Sequence, residues 1–391
     1  MEVKGKQPRY VTVDPSLCAH SRNGKVGCTR CLDVCPSSSI KPAEDHVEVD
    51  PSTCSGHGSC SAVCPTSAII YAAPAADTLF ERMRVLLATF LRSGGVGPQL
   101  LLHDGLYGGG MIQALARLDR GLPAAVLPFA VHQVTAIGLD HLLTAFAHGA
   151  GRVMLLVGPP QGGEQDSLAG TVRLAEDILG GLGYGGDRVV ILAAPDPTAL
   201  DRTLHRPVLP AVARPATYQV LGRRRETLAR ALDHLHAEAS AAVDVLPLAA
   251  GSPFGGIILD GPKCTLCLSC VGVCPTGAIG SSKDKPLLSF QESSCIQCDL
   301  CRVTCPENAI ALAPRLLFGA PWRQRRVLKE EQPFACIRCG KPFGTAAMIA
   351  KMIERLGNHP MFQGPGRLDL LKMCDNCRAL AQIEGPDKQG E

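Results

Sequence analysis

The sequence predicts a multidomain protein of mixed α/β and α+β class, in which two small cysteine-bound modules flank a parallel α/β domain and a four-cysteine tail follows. Three observations predict it. The 19 cysteines fall in blocks at 18–64, 264–305 and 336–377, so residues 65–263 hold none. The run CxxCxxCxxxCP occurs twice without change, as Cys264, Cys267, Cys270, Cys274-Pro275 and as Cys295, Cys298, Cys301, Cys305-Pro306. The cysteine-free middle carries short continuous apolar runs separated by helix-length segments, as strands covered on both faces do.

The doubled run has the spacing of a bacterial two-cluster ferredoxin. Three thiolates at three-residue intervals wrap one corner of a cubane on a tight loop, and the fourth reaches across to the other cluster. The expected ligand sets are therefore Cys264, Cys267, Cys270 and Cys305, and Cys295, Cys298, Cys301 and Cys274. The proline after each fourth cysteine discourages continuation as a helix. Two zinc sites would need only four ligands each and would leave the doubling unexplained.

The N-terminal block is an irregular copy. Cys28, Cys31 and Cys35-Pro36 keep the frame, but the leading cysteine, Cys18, is displaced by an inserted loop from Ala19 to Gly27. The second run, Cys54, His57, Cys60 and Cys64-Pro65, has histidine where a cysteine belongs. Cross-ligation assigns Cys18, Cys28, Cys31 and Cys64 to one cluster, and Cys54, Cys60 and Cys35 to the other. Either His57 is the missing fourth ligand, or that iron is absent and the cluster is of the three-iron type. Between the runs, Val47-Glu48-Val49 alternates like a short strand.

In the middle, Leu79, Phe80, Met83, Leu86, Leu87, Phe90 and Leu91 recur at helical spacing. Leu100–Leu102, Ala125–Leu127, Val153–Val157 and Val189–Leu192 read as strands of a flavodoxin- or Rossmann-like sheet, and Leu139, Leu142, Leu143 and Phe146 as a core stripe. His103-Asp104 followed by Gly108, Gly109 and Gly110 lies where such a sheet would bind a phosphate or a flavin, but it does not match GxGxxG. The alternative is a turn that permits close strand–helix packing. Tyr218 to Ala241 reads as a charged helix with Leu221, Leu228, Leu232 and Leu235 on one side, and Leu246 to Pro262 as a linker.

In the tail, Cys336 and Cys339 form one CxxC knuckle and Cys374 and Cys377 another, separated by a helix from Thr345 to Leu356. One tetrahedral zinc in a zinc-ribbon-like fold is the economical reading, with rubredoxin-like iron or a further cluster as alternatives. The expected domains are 1–76, 77–250, 251–315 and 316–391.

A net charge of +3 and a pI near 8.1 do not argue for nucleic acid. Arg223–Arg225 and the run Arg323, Arg325, Arg326 read as solvated faces or contacts for an acidic partner. CxxC spacing argues for metal ligation in a reducing compartment over a disulfide framework. The first eight residues lack the apolar run of a signal peptide and no stretch reaches the length of a membrane span, so the expectation is a cytoplasmic protein.

Taken together, the chain resembles bacterial dicluster ferredoxin-type proteins associated with formate dehydrogenase. The resemblance rests on Cys28–Pro36, His103-Asp104 with its glycines, Leu127–Thr135, Cys264–Cys270 and Pro333–Gly344. In that family the position of His57 is usually cysteine. The middle region is similar to the delta subunit of methyl-viologen-reducing hydrogenases, whose own cluster cysteines are missing here. The resemblance implies single-electron relay through up to four iron–sulfur clusters, with one zinc and with formate dehydrogenase or another oxidoreductase as partner. A maturation or scaffold factor for formate dehydrogenase is the alternative. No molybdenum or haem motif makes the chain a self-sufficient enzyme.

Overall fold

The computed structural model describes residues 9–72, 76–118, 120–159, 164–240, 243–364 and 366–384. The expectation drawn from the first eight residues, and the chain beside the 76/77 boundary at 73–75, lie outside them. The chain forms two compact units: Met1–Gly255 with Ile296–Cys298 and Pro314–Trp322, and Gly256–Cys295 with Asp299–Ala313 and Arg323–Glu391. The sequence expected a boundary at 315/316, yet Leu316, Leu317, Phe318 and Trp322 are buried in the core of the first unit.

The first unit opens with a cluster-type module. Strand β1 (Val11–Val13) leads into the inserted loop, which folds as a small hairpin of β2 (Ser21–Arg22) and β3 (Lys25–Val26). Helix α1 (Arg30–Asp33), the hairpin of β4 (Ile40–Ala43) and β5 (His46–Val49), helix α2 (Ser59–Val63) and strand β6 (Ile69–Tyr71) follow. Strand β6 returns antiparallel to β1, so first and last strands close the module. Its small core includes Cys18, Cys31, Cys60 and Cys64 beside Ile40, Val47 and Ile69. Such a core buries little apolar area, and ligation is what such small modules use to supplement it.

The α/β part follows. Helix α3 (Ala76–Arg92) buries Leu79, Phe80, Met83 and Leu87 and half-buries Leu86, Phe90 and Leu91. Then come β7 (Gln99–His103), α4 (Tyr107–Leu118), β8 (Val126–Ala130), α5 (Leu139–Ala147), β9 (Arg152–Leu156), α6 (Glu164–Gly181), β10 (Val189–Leu192) and α7 (Pro197–Leu204). The four strands form a parallel sheet in the order β10-β9-β7-β8, and every residue of β7 and β9 is buried. Strand β8 includes Pro128, which lacks an amide donor and is tolerated because β8 is an edge. The recurring prolines of 206–215 form no regular element, and buried arginines hold their carbonyls. Arg152 donates to Pro207 O at 2.9 Å and Arg188 to Pro210 O at 2.7 Å.

Helix α8 (Arg224–Ala237) buries Leu228, Leu232 and Leu235, but Leu221 lies before its start and is 60% exposed. The stretch read as a linker contains β11 (Val245–Pro247) and β12 (Gly255–Leu259). Strand β11 is antiparallel to Arg315–Leu317, so this segment is ordered by pairing despite its glycines and prolines.

The chain repeats the module over residues 255–317. Helix α9 (Ser269–Gly272), the hairpin of β13 (Ile279–Ser281) and β14 (Leu287–Gln291), helix α10 (Leu300–Thr304) and strand β15 (Ile310–Leu317) reproduce the first set. The backbones match at joining bonds: Asp14 N–H to Ala68 O is 2.7 Å and Asp260 N–H to Ala309 O is 2.8 Å. Asp50 N–H to Ser39 O, at 2.9 Å, corresponds to Gln291 N–H to Ala278 O at 2.8 Å. After the short helix α11 (Ala320–Arg323), β16 (Arg325–Glu330) adds to β14.

The tail comprises the hairpin of β17 (Pro333–Ala335) and β18 (Pro342–Thr345), helix α12 (Ala346–Leu356) and helix α13 (Asp375–Glu384). It departs from the expected ribbon: the first knuckle follows a strand, but Cys377 lies within α13. The sequence there, Arg378-Ala-Leu-Ala-Gln, favours a helix. Thr345 caps α12, accepting from Met348 N–H at 3.1 Å. Among the described residues no helix is long and apolar enough to cross a membrane.

Candidate iron–sulfur and metal centres

In the second unit, Cys264, Cys267, Cys270 and Cys305 line one small cavity with Leu259, Leu266 and Ile310. The fourth cysteine thus reaches the site of the first three. Burial pushes Cys270 up to about 12, and the neighbouring Cys267, Cys264 and Cys305 add to the rise. Iron must displace these protons to bind, so the pocket is suited to a cation that accepts several thiolates together. Ala309 N–H donates to Cys305 Sγ at 3.3 Å, and the Ser269 hydroxyl lies 3.5 Å from Cys267 Sγ. Cys295 and Cys301 are buried in this module's core, Cys274 packs against that core, and Cys298 is half-buried.

The N-terminal cysteines separate into two neighbourhoods. Burial drives the Cys31 thiol far up, and the neighbouring Cys28, Cys64 and Cys18 add to the rise. Burial pushes Cys60 up to about 12, with Cys35 and Cys54 nearby. Ile69 N–H donates to Cys64 Sγ at 3.4 Å, matching the Ala309 bond of the other module. Cys35, Cys64 and Cys274 each have a Ser or Thr hydroxyl two residues on, 3.6–3.8 Å from sulfur. At Cys305 that position is Glu307, paired instead with Arg355 at 2.8 Å.

His57 is half-buried and lines a small cavity with Cys35, Cys54 and Cys60. Its loop keeps the cluster-loop conformation. In the regular runs the residues flanking the middle cysteine are left-handed: Leu266 and Leu268 around Cys267, Gln297 and Asp299 around Cys298. Around His57 they are Gly56 (φ 77°) and Gly58 (φ 78°). The imidazole therefore occupies the place of the middle cysteine in backbone terms. Close neighbours fix the loop. The Thr135 hydroxyl donates to His57 O at 2.6 Å and the Tyr71 hydroxyl to Gly56 O at 2.7 Å.

In the tail, the sulfurs of Cys336, Cys339, Cys374 and Cys377 all lie within 4.8 Å of one another, and Cys339 to Cys374 is 3.7 Å. A single ion with metal–sulfur bonds of about 2.3 Å has a tetrahedral edge of roughly 3.8 Å. The tail therefore fits one ion. Burial alone would raise Cys336, but amide donors led by Cys374 N–H, at 3.3 Å from its sulfur, bring it down to about 6. Gly340, at φ 73°, makes the knuckle turn.

The crevice expected near His103 is occupied by the protein's own groups. The strand order of the parallel sheet switches sides between β7 and β9, and α4 begins there. Asp104 Oδ1 accepts from Leu106 N–H at 2.8 Å and Tyr107 N–H at 2.6 Å, so its carboxylate holds amides a phosphate would need. A Cβ on Gly108 would stand 2.6 Å from His103 Cβ, which is the close strand–helix packing of the alternative reading. Tyr107 lies against Gly158 and donates its hydroxyl to Ala194 O.

The arginine runs are solvated only in part: Arg223, Arg323 and Arg325 are exposed, while Arg224, Arg225 and Arg326 turn onto the protein. The Arg224 side chain is 11% exposed, pairs with Asp140 at 3.0 Å, and donates to Ser61 O and, at 2.9 Å, to Cys64 O. Arg225 lies over the Phe254 ring at 4.7 Å and Arg326 over the Phe290 ring at 5.3 Å. Arg22 donates to Cys18 O and Lys329 to Cys264 O in the same way, and Asp140 anchors Arg224; of these groups the sequence marked only Arg224, as part of a basic run. A cavity of about 600 Å³ opens beside Cys64, lined also by Arg30, Leu139, Gly170 and Arg224.

These features define an iron–sulfur protein with two 4Fe-4S dicluster ferredoxin domains. Residues 26–68 and 263–310 each match the family described as 4Fe-4S dicluster domain. A stretch of 41 residues is 46% identical to "Ferredoxin 7Fe" of Hydrogenibacillus schlegelii, which is 10% of this chain and 53% of that protein. The chain thus spans about half the length of the curated relative it matches. Domains of this kind transfer electrons.

Proposed function

We propose that the protein relays single electrons through up to four clusters between partner oxidoreductases in the cytoplasm, one of them a formate dehydrogenase. The observation that carries the relay is the convergence of Cys264, Cys267, Cys270 and Cys305 on one small cavity, with matching neighbourhoods around Cys31 and Cys60. The formate link rests on the resemblance of the motifs. Bound clusters would supply reversible one-electron chemistry. Cys18, Cys28, Cys31 and Cys64 would hold one, Cys35, Cys54 and Cys60 with or without His57 the second, and the two regular sets the others. The protein's own part is to exclude water, donate amides and hydroxyls to sulfur, and hold the cysteines fixed. The tail cysteines would hold zinc as a structural ion.

The named relative supports a module that falls one iron short, since seven irons are one fewer than two cubanes contain. The test is an anaerobic iron, sulfide and zinc count with EPR-monitored reduction. About 16 cluster irons are expected if His57 closes its site and about 15 if it does not. In the second case His57→Cys gains an iron and His57→Ala leaves the spectrum unchanged. Fewer than about eight irons, or none reducible by dithionite, refutes the proposal. A redox-silent, folded variant that still yields active dehydrogenase would replace relay by a scaffold role.

A further inference from the structure

We infer that the inserted loop and the α/β domain together form an electrostatic collar that raises the reduction potential at the Cys18, Cys28, Cys31, Cys64 site, with Arg22 and Arg224 as its positioning residues. The inference rests on the ligand set proposed above.

Three carbonyls of that set accept bonds from nitrogen groups outside the cysteine spacing. Arg22 Nη2 donates to Cys18 O at 2.8 Å, while its Nη1 donates to Ser21 O at 2.7 Å and Asp45 O at 3.0 Å. His20, only 3% exposed, places Nδ1 3.0 Å from Cys28 O. Both residues belong to the insertion after Cys18. Arg224 comes from the first residue of α8. Its Nη1 donates to Cys64 O and Ser61 O, and its backbone N–H to Ser67 Oγ at 3.1 Å. Its Nε meets Asp140, which belongs to a helix with all nine residues buried.

The physics follows from charge. Reduction adds a negative charge to the cluster, and a nearby guanidinium favours the reduced form. The Arg224 side chain is 11% exposed and bonded on both sides, so water and salt screen it little. Asp140 anchors Arg224 through a different nitrogen from the one that faces Cys64, so the pair presents its positive end to the site. The α/β domain thus sets a property of the cluster module, and the insertion has a function beyond spacing.

The test is an anaerobic EPR-monitored redox titration of the full chain, with iron and sulfide counts, on the wild type and on R22Q, R224K, R224Q and D140N/R224Q. At fixed potential, R224Q is expected to lower the reduced-to-oxidised ratio of one cluster on the order of tenfold, which is about 59 mV for a one-electron couple. R22Q and D140N/R224Q shift the same cluster in the same direction by less, and R224K stays near the wild type. The double variant leaves no orphaned carboxylate, and R22Q disturbs no buried acid, so each reports even where R224Q fails to fold. Full iron content with unshifted ratios in R22Q and D140N/R224Q overturns the collar while leaving the relay intact. A wild type without reducible clusters overturns both.

Discussion

Gly58 is the sharpest test of how the His57 loop is held. Its φ of 78° is left-handed, but so are those of Leu268 and Asp299 at the corresponding positions, so backbone conformation alone does not demand glycine. The neighbours do: a Cβ at Gly58 would stand 2.5 Å from Ala136 Cβ, 3.0 Å from Tyr71 Cε2 and 3.1 Å from Ala136 Cα. Gly58→Ala should therefore carry about 1 kcal/mol for the left-handed alanine and about 1–3 kcal/mol for overpacking. The total is roughly 2–4 kcal/mol of destabilisation. Anaerobic denaturant unfolding reads it, with iron content measured on the same samples. Ala136→Gly removes the closest clashing atom, so the G58A/A136G double variant should recover part of the overpacking share, with Tyr71 Cε2 and the Ala136 Cα still close. A G58A protein as stable as the wild type, or a double variant no better than G58A, refutes the reasoning.

Two further outcomes are expected. Burial holds the pKa of His148 below its ordinary value; its bond to Ala216 O at 2.9 Å opposes this, and Arg84 reinforces it. The unfolded chain binds more protons between the lowered value and about 6.5, so this residue reduces stability as pH falls through that window. His148→Gln should flatten the pH dependence of the unfolding midpoint below about pH 6.5, and an unaltered profile would count against it. Cys377→Ser should remove one non-cluster metal ion per chain by elemental analysis while the dithionite-reducible EPR signals persist. Unchanged metal content would show that the four tail sulfurs do not act as one site.

The cluster loops were legible in the sequence because their chemistry is local. Three-residue cysteine spacing fixes which sulfurs share a corner, and the apolar runs of the sheet are long enough to mark β7, β9 and β10. Long-range pairing was not legible. Arg223–Arg225 reads as a solvated run because nothing nearby in sequence announces Asp140. The glycines and prolines of 246–262 signal a linker, while the strand that orders β11 comes some seventy residues later in the chain. Leu221 fits the helical spacing of its neighbours, yet the helix starts only at Arg224. The knuckles were visible as CxxC pairs, but Cys377 sits in a helix that a ribbon expectation does not contain.

A cluster loop that turns amides toward sulfur must turn carbonyls outward, and buried carbonyls need donors. In a free-standing module water can supply them. In this protein the added elements do. Within the first unit, Thr135 donates to His57 O and Arg224 to Cys64 O, while the insertion brings Arg22 to Cys18 O. Within the second, Lys329 donates to Cys264 O at 2.5 Å, and Thr345, the cap of α12, donates to Thr265 O at 3.0 Å. Arg355, from the last turn of that helix, pairs with Glu307 beside Cys305-Pro306. The segment after β8, the first residue of α8 and the tail therefore place polar contacts on loops that carry cluster cysteines, with Asp140 of α5 holding Arg224 in position. Meanwhile, Asp104 and Tyr107 fill the crevice where a doubly wound sheet would take a ligand of its own. Holding the cluster loops is thus the role for which the α/β domain has the more direct physical equipment.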